Sequence, residues 1–252
     1  MNSVTFINHA TVLIQLGGVH VLTDPVYSWT LGFYIPRLAK PGIPIDELPP
    51  IDIILISHAD YDHLNLKTLR RLRKKKQSTI VFPEGLSKYG RRTGFENFLE
   101  MKLWEKSEIH NLTVTCVPAK HTNKRLPWDR KRTLASGYVV ESNGAAIYFA
   151  GDTGYDVHFG LIAERFSIDV ALLPIGAYKP YEWFRLLHLK PETALKAFID
   201  LKAKTMIPIH WGTFKISDEP LDEPPALLRE QSQLLGLSER VKILNNGESF
   251  QW

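Results

Sequence analysis

Cysteine is almost missing from this chain: Cys116 stands alone among 252 residues. A single thiol excludes an intrachain disulfide framework and fits a reducing compartment. It lies in the apolar run "LTVTCVPA" (112–119), which predicts a buried, inert side chain. Long hydrophobic runs are missing too, and none approaches the roughly 20 residues that span a bilayer. The opening "MNSVTFINHATVLIQL" has polar residues too early for a signal peptide and alternates like a strand. The expectation is a cytoplasmic protein, at most peripheral to a membrane. Charge of one sign is scarce. A formal net charge of +4 permits attraction to phosphate-bearing partners without arguing for nucleic acid. What is present is ordinary for a globular protein, 44% apolar and 23% charged residues, in a chain long enough for a sizeable core.

Hydrophobic patterning supplies the elements. "ATVLIQL" and "VHVLT" flank Gly17–Gly18 and "LASGYVVES" and "AAIYFA" flank Asn143–Gly144, both hairpin signatures. "DIILI" (52–56) reads as a strand buried on both faces. Asn65 is placed to cap a helix over 66–76, and "TIVF", a helix over 84–92 and "LTVTCVPA" follow. "DVALLP", a helix over 191–203 begun by Pro191, and "TMIPIH" form a β-α-β unit. A helix over 222–236 and a strand "VKIL" (241–244) end the chain. The proline-rich stretch from Pro25 to Pro50 is too long for a simple connection. Hairpins mixed with β-α-β units imply sheets covered by helices, and no linker or repeat divides residues 1–252, so a single domain is expected.

Chemistry-bearing residues gather where strands end. Asp24 follows "VHVLT". His58, Asp60, Asp62 and His63 follow "DIILI" in "ILISHADYDHLN" (54–65). His121 follows "LTVTCVPAK", Asp152 in "FAGDTGYD" follows "AAIYFA", and His210 follows "TMIPI". Loops on one edge of a sheet are where α/β proteins collect functional groups. Singly, each has a plain explanation as a turn, cap or hydrogen-bonded loop residue; jointly they have metal-ligand character. His20, His110 and His158 carry no partner pattern and default to surface or core roles. His9 stands between a structural role and the same cleft.

A His-x-x-x-Asp-His cluster, a lone His, Gly-Asp-Thr-Gly and a late His, in that order, resemble the metallo-β-lactamase superfamily. More narrowly, "HATVLIQL", "LTDPVYS", "DELPPIDIILISH", "YFAGDTGY", "LLPIGAYKP" and "IHWGTFKISDEPLDEPP" resemble the branch containing N-acyl phosphatidylethanolamine-hydrolysing phospholipase D, from about Phe6 to about Leu228. Metal binding alone does not demand "KISDEPLDEPP". The resemblance implies a four-layer αβ/βα sandwich, two mixed sheets face to face with helices outside and a dinuclear site at one edge. It implies two divalent ions, zinc first. His58, position 60 and His121 would hold one ion, Asp62, His63 and His210 the other, and Asp152 would bridge them. It further implies catalytic parts for Asp62 and Asp152, an orienting part for Asp24, and a substrate-side part for His188, stabilising phosphate charge or protonating the leaving group.

Asp60 departs from the family's usual histidine. Carboxylate oxygen is a harder donor than imidazole and tilts preference toward iron or manganese; flavodiiron proteins of the superfamily place a glutamate there around iron. The reaction implied is attack on a phospholipid phosphodiester by a metal-bound hydroxide. "YSWTLGFYIPRL" and "YEWFRLLHL" carry Trp29, Phe33, Trp183 and Phe184, which either line an acyl-binding, membrane-facing rim or pack the long loops. "RRLRKKK" (70–76) reads as a solvated face, whereas "KRLPWDRKR" (124–132) lies closer to the site. Other phosphodiester or lactone substrates, nucleic acid among them, and a metal- and ligand-binding sensor without turnover are the alternatives.

Overall fold

The computed structural model describes residues 1–32, 34–91, 93–123, 125 and 134–252. Its strands in chain order are β1 (Ser3–Asn8), β2 (Thr11–Leu16), β3 (Val19–Thr23), β4 (Thr30–Leu31), β5 (Ile35–Pro36), β6 (Ile53–Leu55), β7 (Thr79–Pro83) and β8 (Asn97–Met101). They continue as β9 (Lys106–Ile109), β10 (Leu112–Pro118), β11 (Ser136–Ser142), β12 (Ala145–Phe149), β13 (Val170–Pro174), β14 (Thr205–Ile209) and β15 (Ser249–Gln251). One sheet has the order β15-β1-β2-β3-β6-β7-β8, the other β14-β13-β12-β11-β10-β9. In each, antiparallel neighbours on one side give way to parallel ones on the other: β3, β6, β7 and β8 in the first sheet, β12, β13 and β14 in the second. Both hairpins form where the glycine signatures lie, with Gly17, Gly18, Asn143 and Gly144 at positive φ.

Alternation along the strands explains the layers. Ile53 and Leu55, Ile147 and Phe149, and Val170 and Leu172 meet between the sheets. Their neighbours Ile54 and Ile56 pack outward beneath α1 (Leu66–Arg71), with Leu69 and Leu72. Tyr148, Ala171 and Leu173 pack outward against α3 (His158–Ala163), α5 (Pro191–Asp200) and α6 (Glu223–Leu234). The result is a four-layer αβ/βα sandwich, helix–sheet–sheet–helix, and strands buried on both faces read as unbroken apolar runs. Each fully buried large side chain contributes about 1.5–3 kcal/mol. Cys116 lies in the inter-sheet core, where burial pushes its thiol up to about 11.

Several expectations change. The helix over 66–76 stops at Arg71, because Leu72 turns extended to reach the core and a run of like charges follows. The helix over 84–92 is reduced to α2 (Ser87–Gly90), with Arg92 outside the described residues. "VKIL" is no strand beyond one bridge from Val241 to Met206: Val241 packs on the outer face and Leu244 in the inter-sheet core, so the segment crosses between layers. β8, β9 and β15 were not expected. All three are edge strands with mostly polar, half-exposed sequences that carry little alternation. The proline-rich stretch folds into the β4–β5 ribbon and a 3-10 turn at Ile45–Glu47. Arg37 pins it by donating to the carbonyls of Val26, Ser28 and Ala39.

Among the described residues no helix is long and apolar enough to cross a membrane.

Candidate metal centre

The strands β1, β3, β6, β10, β12 and β14 run in one sense within their sheets, so their C-terminal ends open on one edge. There the sequence places His9, Asp24, the 58–63 cluster, His121, Asp152 and His210. Three of these residues turn off their strands with left-handed backbone: His9 (φ 49), Asp24 (φ 32) and His210 (φ 61). Such geometry is rare outside glycine and is held only where the surroundings fix it. One tie is the His210 amide donating to the His9 carbonyl at 2.8 Å, which joins the two sheets. Gly151 serves the same closeness, since a Cβ there would fall 2.4 Å from that of Ser57.

The donor atoms converge. Asp152 Oδ2 lies 3.2 Å from His210 Nε2, 3.3 Å from His63 Nε2 and 3.7 Å from His188 Nδ1. Asp62 Oδ2 lies 3.6 Å from Nε2 of both His63 and His210, and 3.0 Å from His9 Nε2. Two sets, His9–Asp62–His63–His210 and His58–His121–Asp152, each bring all their donor atoms within 4.8 Å of one another. Asp60 Oδ2 stands 3.8 Å from His58 Nε2 and 3.9 Å from His121 Nε2.

The imidazoles are turned for ligation. His58 Nδ1 meets Ser57 Oγ at 2.9 Å, His63 Nδ1 donates to Asp24 at 2.6 Å, and His121 Nδ1 donates to the Leu187 carbonyl at 3.0 Å. This fixes the tautomer and leaves Nε2 facing inward, as in metal-binding histidines whose other nitrogen is held. Among the described residues, Nε2 of His58, His63, His121 and His210 and Oδ1 of Asp152 are buried without a hydrogen bond. Buried polar atoms rarely go unsatisfied, so a cluster of them aimed at common points fits a cation. Ligands on a tetrahedral zinc at about 2.0–2.1 Å stand about 3.4 Å apart. The distances around Asp62 and Asp152 match that edge, and those at Asp60 are longer.

Electrostatics divides the centre. Burial works against charge on His63, yet Asp152, Asp62 and Asp24 outweigh it and raise the imidazole well above its ordinary range. His210 is likewise pushed up to about 9, its burial overcome chiefly by Asp152. His58 goes the other way, lowered by burial and by the neighbouring His63 and His121. Burial and His210 bring His9 down to about 3. Burial alone would raise both Asp62 and Asp152, but surrounding imidazoles hold them well below the usual carboxylate range.

A cleft of about 730 Å³ opens above the centre and reaches Asp60, Asp62, Asp152 and His188. Phe184 lines it. Trp29 and Trp183 lie outside its lining, 64% and 77% exposed, and Phe33 falls outside the described residues. Of the basic run 124–132 only Arg125 is described, and its Nη1 donates to the carbonyls of Ala59 and Leu64, clamping the ligand loop from both ends. His158 is buried beside Thr153, away from the cluster.

One contributor was left open by the sequence and another escaped it. His9 proves to be in contact with Asp62, and Glu219 is a buried carboxylate accepting from the amides of Ala177 (2.6 Å), Tyr178 (3.4 Å) and Lys179 (3.0 Å). Glu219 belongs to "KISDEPLDEPP", so that motif holds the backbone beside His210 and the start of the segment leading to His188. Its surplus over any metal requirement was the available signal.

Residues 20–211 match the Beta-lactamase superfamily domain, and the chain belongs to that superfamily. It is 34% identical over 232 residues to an uncharacterized protein of Mycobacterium tuberculosis, covering 88% of this chain and 62% of the relative's length. It is 32% identical over 251 residues to N-acyl-phosphatidylethanolamine-hydrolyzing phospholipase D 1 of Caenorhabditis elegans, covering 91% and 70%. In fold it is similar to the isothiocyanate hydrolase from Delia radicum gut bacteria, with TM-score 0.80, 21% identity and 99% of each chain covered. Clustered His and Asp sets forming a candidate dinuclear site are typical of catalytic hydrolases of this fold, and this chain carries them.

Proposed function

We propose that the chain is a dinuclear metal-dependent phosphodiesterase of phospholipase D type. The observation that carries the metal centre is the set of buried, unbonded Nε2 atoms around Asp152. In this reading His58, Asp60 and His121 would hold one ion and Asp62, His63 and His210 the other, with Asp152 available to both. The diester specificity draws support from the phospholipase D relative and from a cleft lined by apolar and cationic side chains. Two divalent ions held there would supply Lewis acidity toward a phosphoryl oxygen and a nucleophile from water at neutral pH.

The chain's own groups do the rest. Asp24 fixes the His63 tautomer, and His9 holds the Asp62 carboxylate in one rotamer. His188 is buried with Nδ1 toward Asp152, its ring edge-on to Phe184 and His121, and it lines the cleft. From there it can stabilise phosphate charge or give a proton to the leaving oxygen. Zinc is the first metal expected, with iron or manganese favoured by the Asp60 oxygen donor. Trp29, Tyr34, Trp183 and Leu186 are exposed, and they are the side chains proposed to meet a lipid surface.

The test is elemental mass spectrometry joined to a chromogenic phosphodiester assay. Two ions per chain and turnover that chelation abolishes and divalent metal restores are expected. Turnover unaffected by chelation, or no diester hydrolysis in fully metallated protein, overturns the reading.

A further inference from the structure

The segment from Pro180 to His188 passes the centre with little support of its own. Its one helical turn, α4 (Tyr181–Phe184), buries no residue, and Tyr181, Glu182, Trp183, Arg185 and Leu186 are all exposed. Backbone bonds from the amides of Arg185, Leu187 and His188 run back only to Tyr181 and Phe184. A stretch with so few buried apolar contacts takes its position from its ends and from what it touches. The ends are firm. Glu219 accepts from the amides of Ala177 and Lys179 before it, and Leu189 is fully buried after it.

What it touches is the Asp60 side of the centre. His121 Nδ1 donates to the Leu187 carbonyl at 3.0 Å, and the His121 and His188 rings meet edge-on at 5.1 Å. Gly154, the last residue of Gly-Asp-Thr-Gly, lies against the same stretch. A Cβ there would fall 2.2 Å from the Leu186 carbonyl oxygen. Gly154 has no left-handed backbone to explain it, so this glycine serves the close approach alone. An ion on His121 Nε2 would leave the neutral ring its one proton on Nδ1 and hold the ring plane still, which fixes the donor toward Leu187. Without an ion the neutral ring can carry that proton on either nitrogen, and the bond becomes optional.

We propose that residues 180–188 are a strap coupled to the metal: an ion bound at His121 seats the strap, and the seated strap tightens that ion. Phe184 and His188, which line the cleft, then take their places over the centre only in the loaded protein. The coupling rests on the metal-centre reading and not on what the centre cuts. Because coupling between two events is reciprocal, one factor governs both directions.

The test is amide hydrogen exchange on protein loaded with zinc and on the same protein after chelation. Exchange at Arg185, Leu187 and His188 should slow about tenfold on loading, with the α5 amides unchanged. Gly154→Ala pushes the strap away without altering a ligand. In it the protection should vanish, and one of the two ions should bind about tenfold more weakly in chelator competition. Leu186→Gly loosens the strap through backbone entropy and leaves the Asp152 loop untouched; it should weaken the same ion about threefold. Strap exchange indifferent to ions that elemental analysis shows to be bound overturns the coupling and leaves the metal centre standing, as does protection that rises equally in α5. Ion affinity unchanged in both variants overturns it as well. A chain that takes up no ion removes the metal reading, and the coupling with it.

Discussion

Around Asp62, donor atoms are drawn together: 3.0 Å to His9 and 3.6 Å to His63 and His210, with Asp152 reaching the same two rings at 3.3 and 3.2 Å. Around Asp60 the matching distances to His58 and His121 are 3.8 and 3.9 Å. The difference follows from what stands behind each side. His63 has the fully buried Asp24 carboxylate behind it, itself tied to the Ser57 amide at 2.7 Å. Asp62 has His9, and His210 is joined through its amide to the other sheet. The Asp60 side has the Ser57 hydroxyl, itself bonded to Asp24, behind His58 and a carbonyl behind His121. Both sides share the loop clamped by Arg125 and Asn123; the Asp62 side adds a carboxylate bonded directly to His63 and a main-chain tie between the sheets. A compact side and a wider side can be separated by experiment.

Asp152→Asn strikes both sides at once, because Asp152 is common to them. We expect kcat/KM to fall by roughly 10³-fold or more with the fold intact, since the change is isosteric. Circular dichroism alongside diester kinetics checks this, and near-normal turnover would dissolve the idea of a shared carboxylate. Asp24→Asn should discriminate. It removes the charged acceptor bonded directly to His63, whereas His58 feels it only through Ser57 Oγ, so metal on the Asp62 side should weaken by about 10–100-fold and more than metal on the other side. A chelator titration followed by elemental analysis should then show one ion leaving early, whereas simultaneous loss of both would erase the distinction between the sides.

Glu219→Ala probes the scaffold next to the compact side. It strips the acceptor from the amides of Ala177, Tyr178 and Lys179 and the hydroxyl of Ser217. Leaving buried donors unsatisfied should cost about 3 kcal/mol in urea unfolding. Displacement of the segment leading to His188 should lower kcat/KM by about tenfold, with both ions retained. Glu219→Gln should recover part of the activity. Loss of metal together with activity would show that Glu219 supports the ligands themselves.

Much of this is legible in the sequence. The hairpins announced themselves through Gly17–Gly18 and Asn143–Gly144, and strands buried on both faces through unbroken runs such as "DIILI". Asp24, His121, Asp152 and His210 stood out because each follows a strand, and the sense of those strands brings their ends to one edge. What stayed hidden depends on long-range geometry or on weak patterning. β8 and β9 are polar edge strands, and periodicity has no grip where neither face is fully buried. His9 gains its partner, Asp62, 53 residues further along the chain, only when the ends of β1 and β6 are brought to one edge. Arg125 looked like one charge in a basic run, and nothing local shows that it holds two carbonyls of the ligand loop.

The remaining question is whether the wider side is wide because of Asp60. A carboxylate is shorter than an imidazole and offers a harder donor, so Asp60 should both reach less far across the gap and favour iron or manganese over zinc. Asp60→His reverses both properties, with no change at Asp62, His63 or His210. The expected effect is modest, a roughly fivefold rise in the ratio of zinc to iron plus manganese in protein purified without added metal. Activity supported by zinc should rise relative to that supported by manganese, because only the wider side has changed its donor. If the metal ratio and the metal dependence both stay as they were, Asp60 is not a ligand, and the 3.8 and 3.9 Å separations describe a carboxylate standing outside the centre.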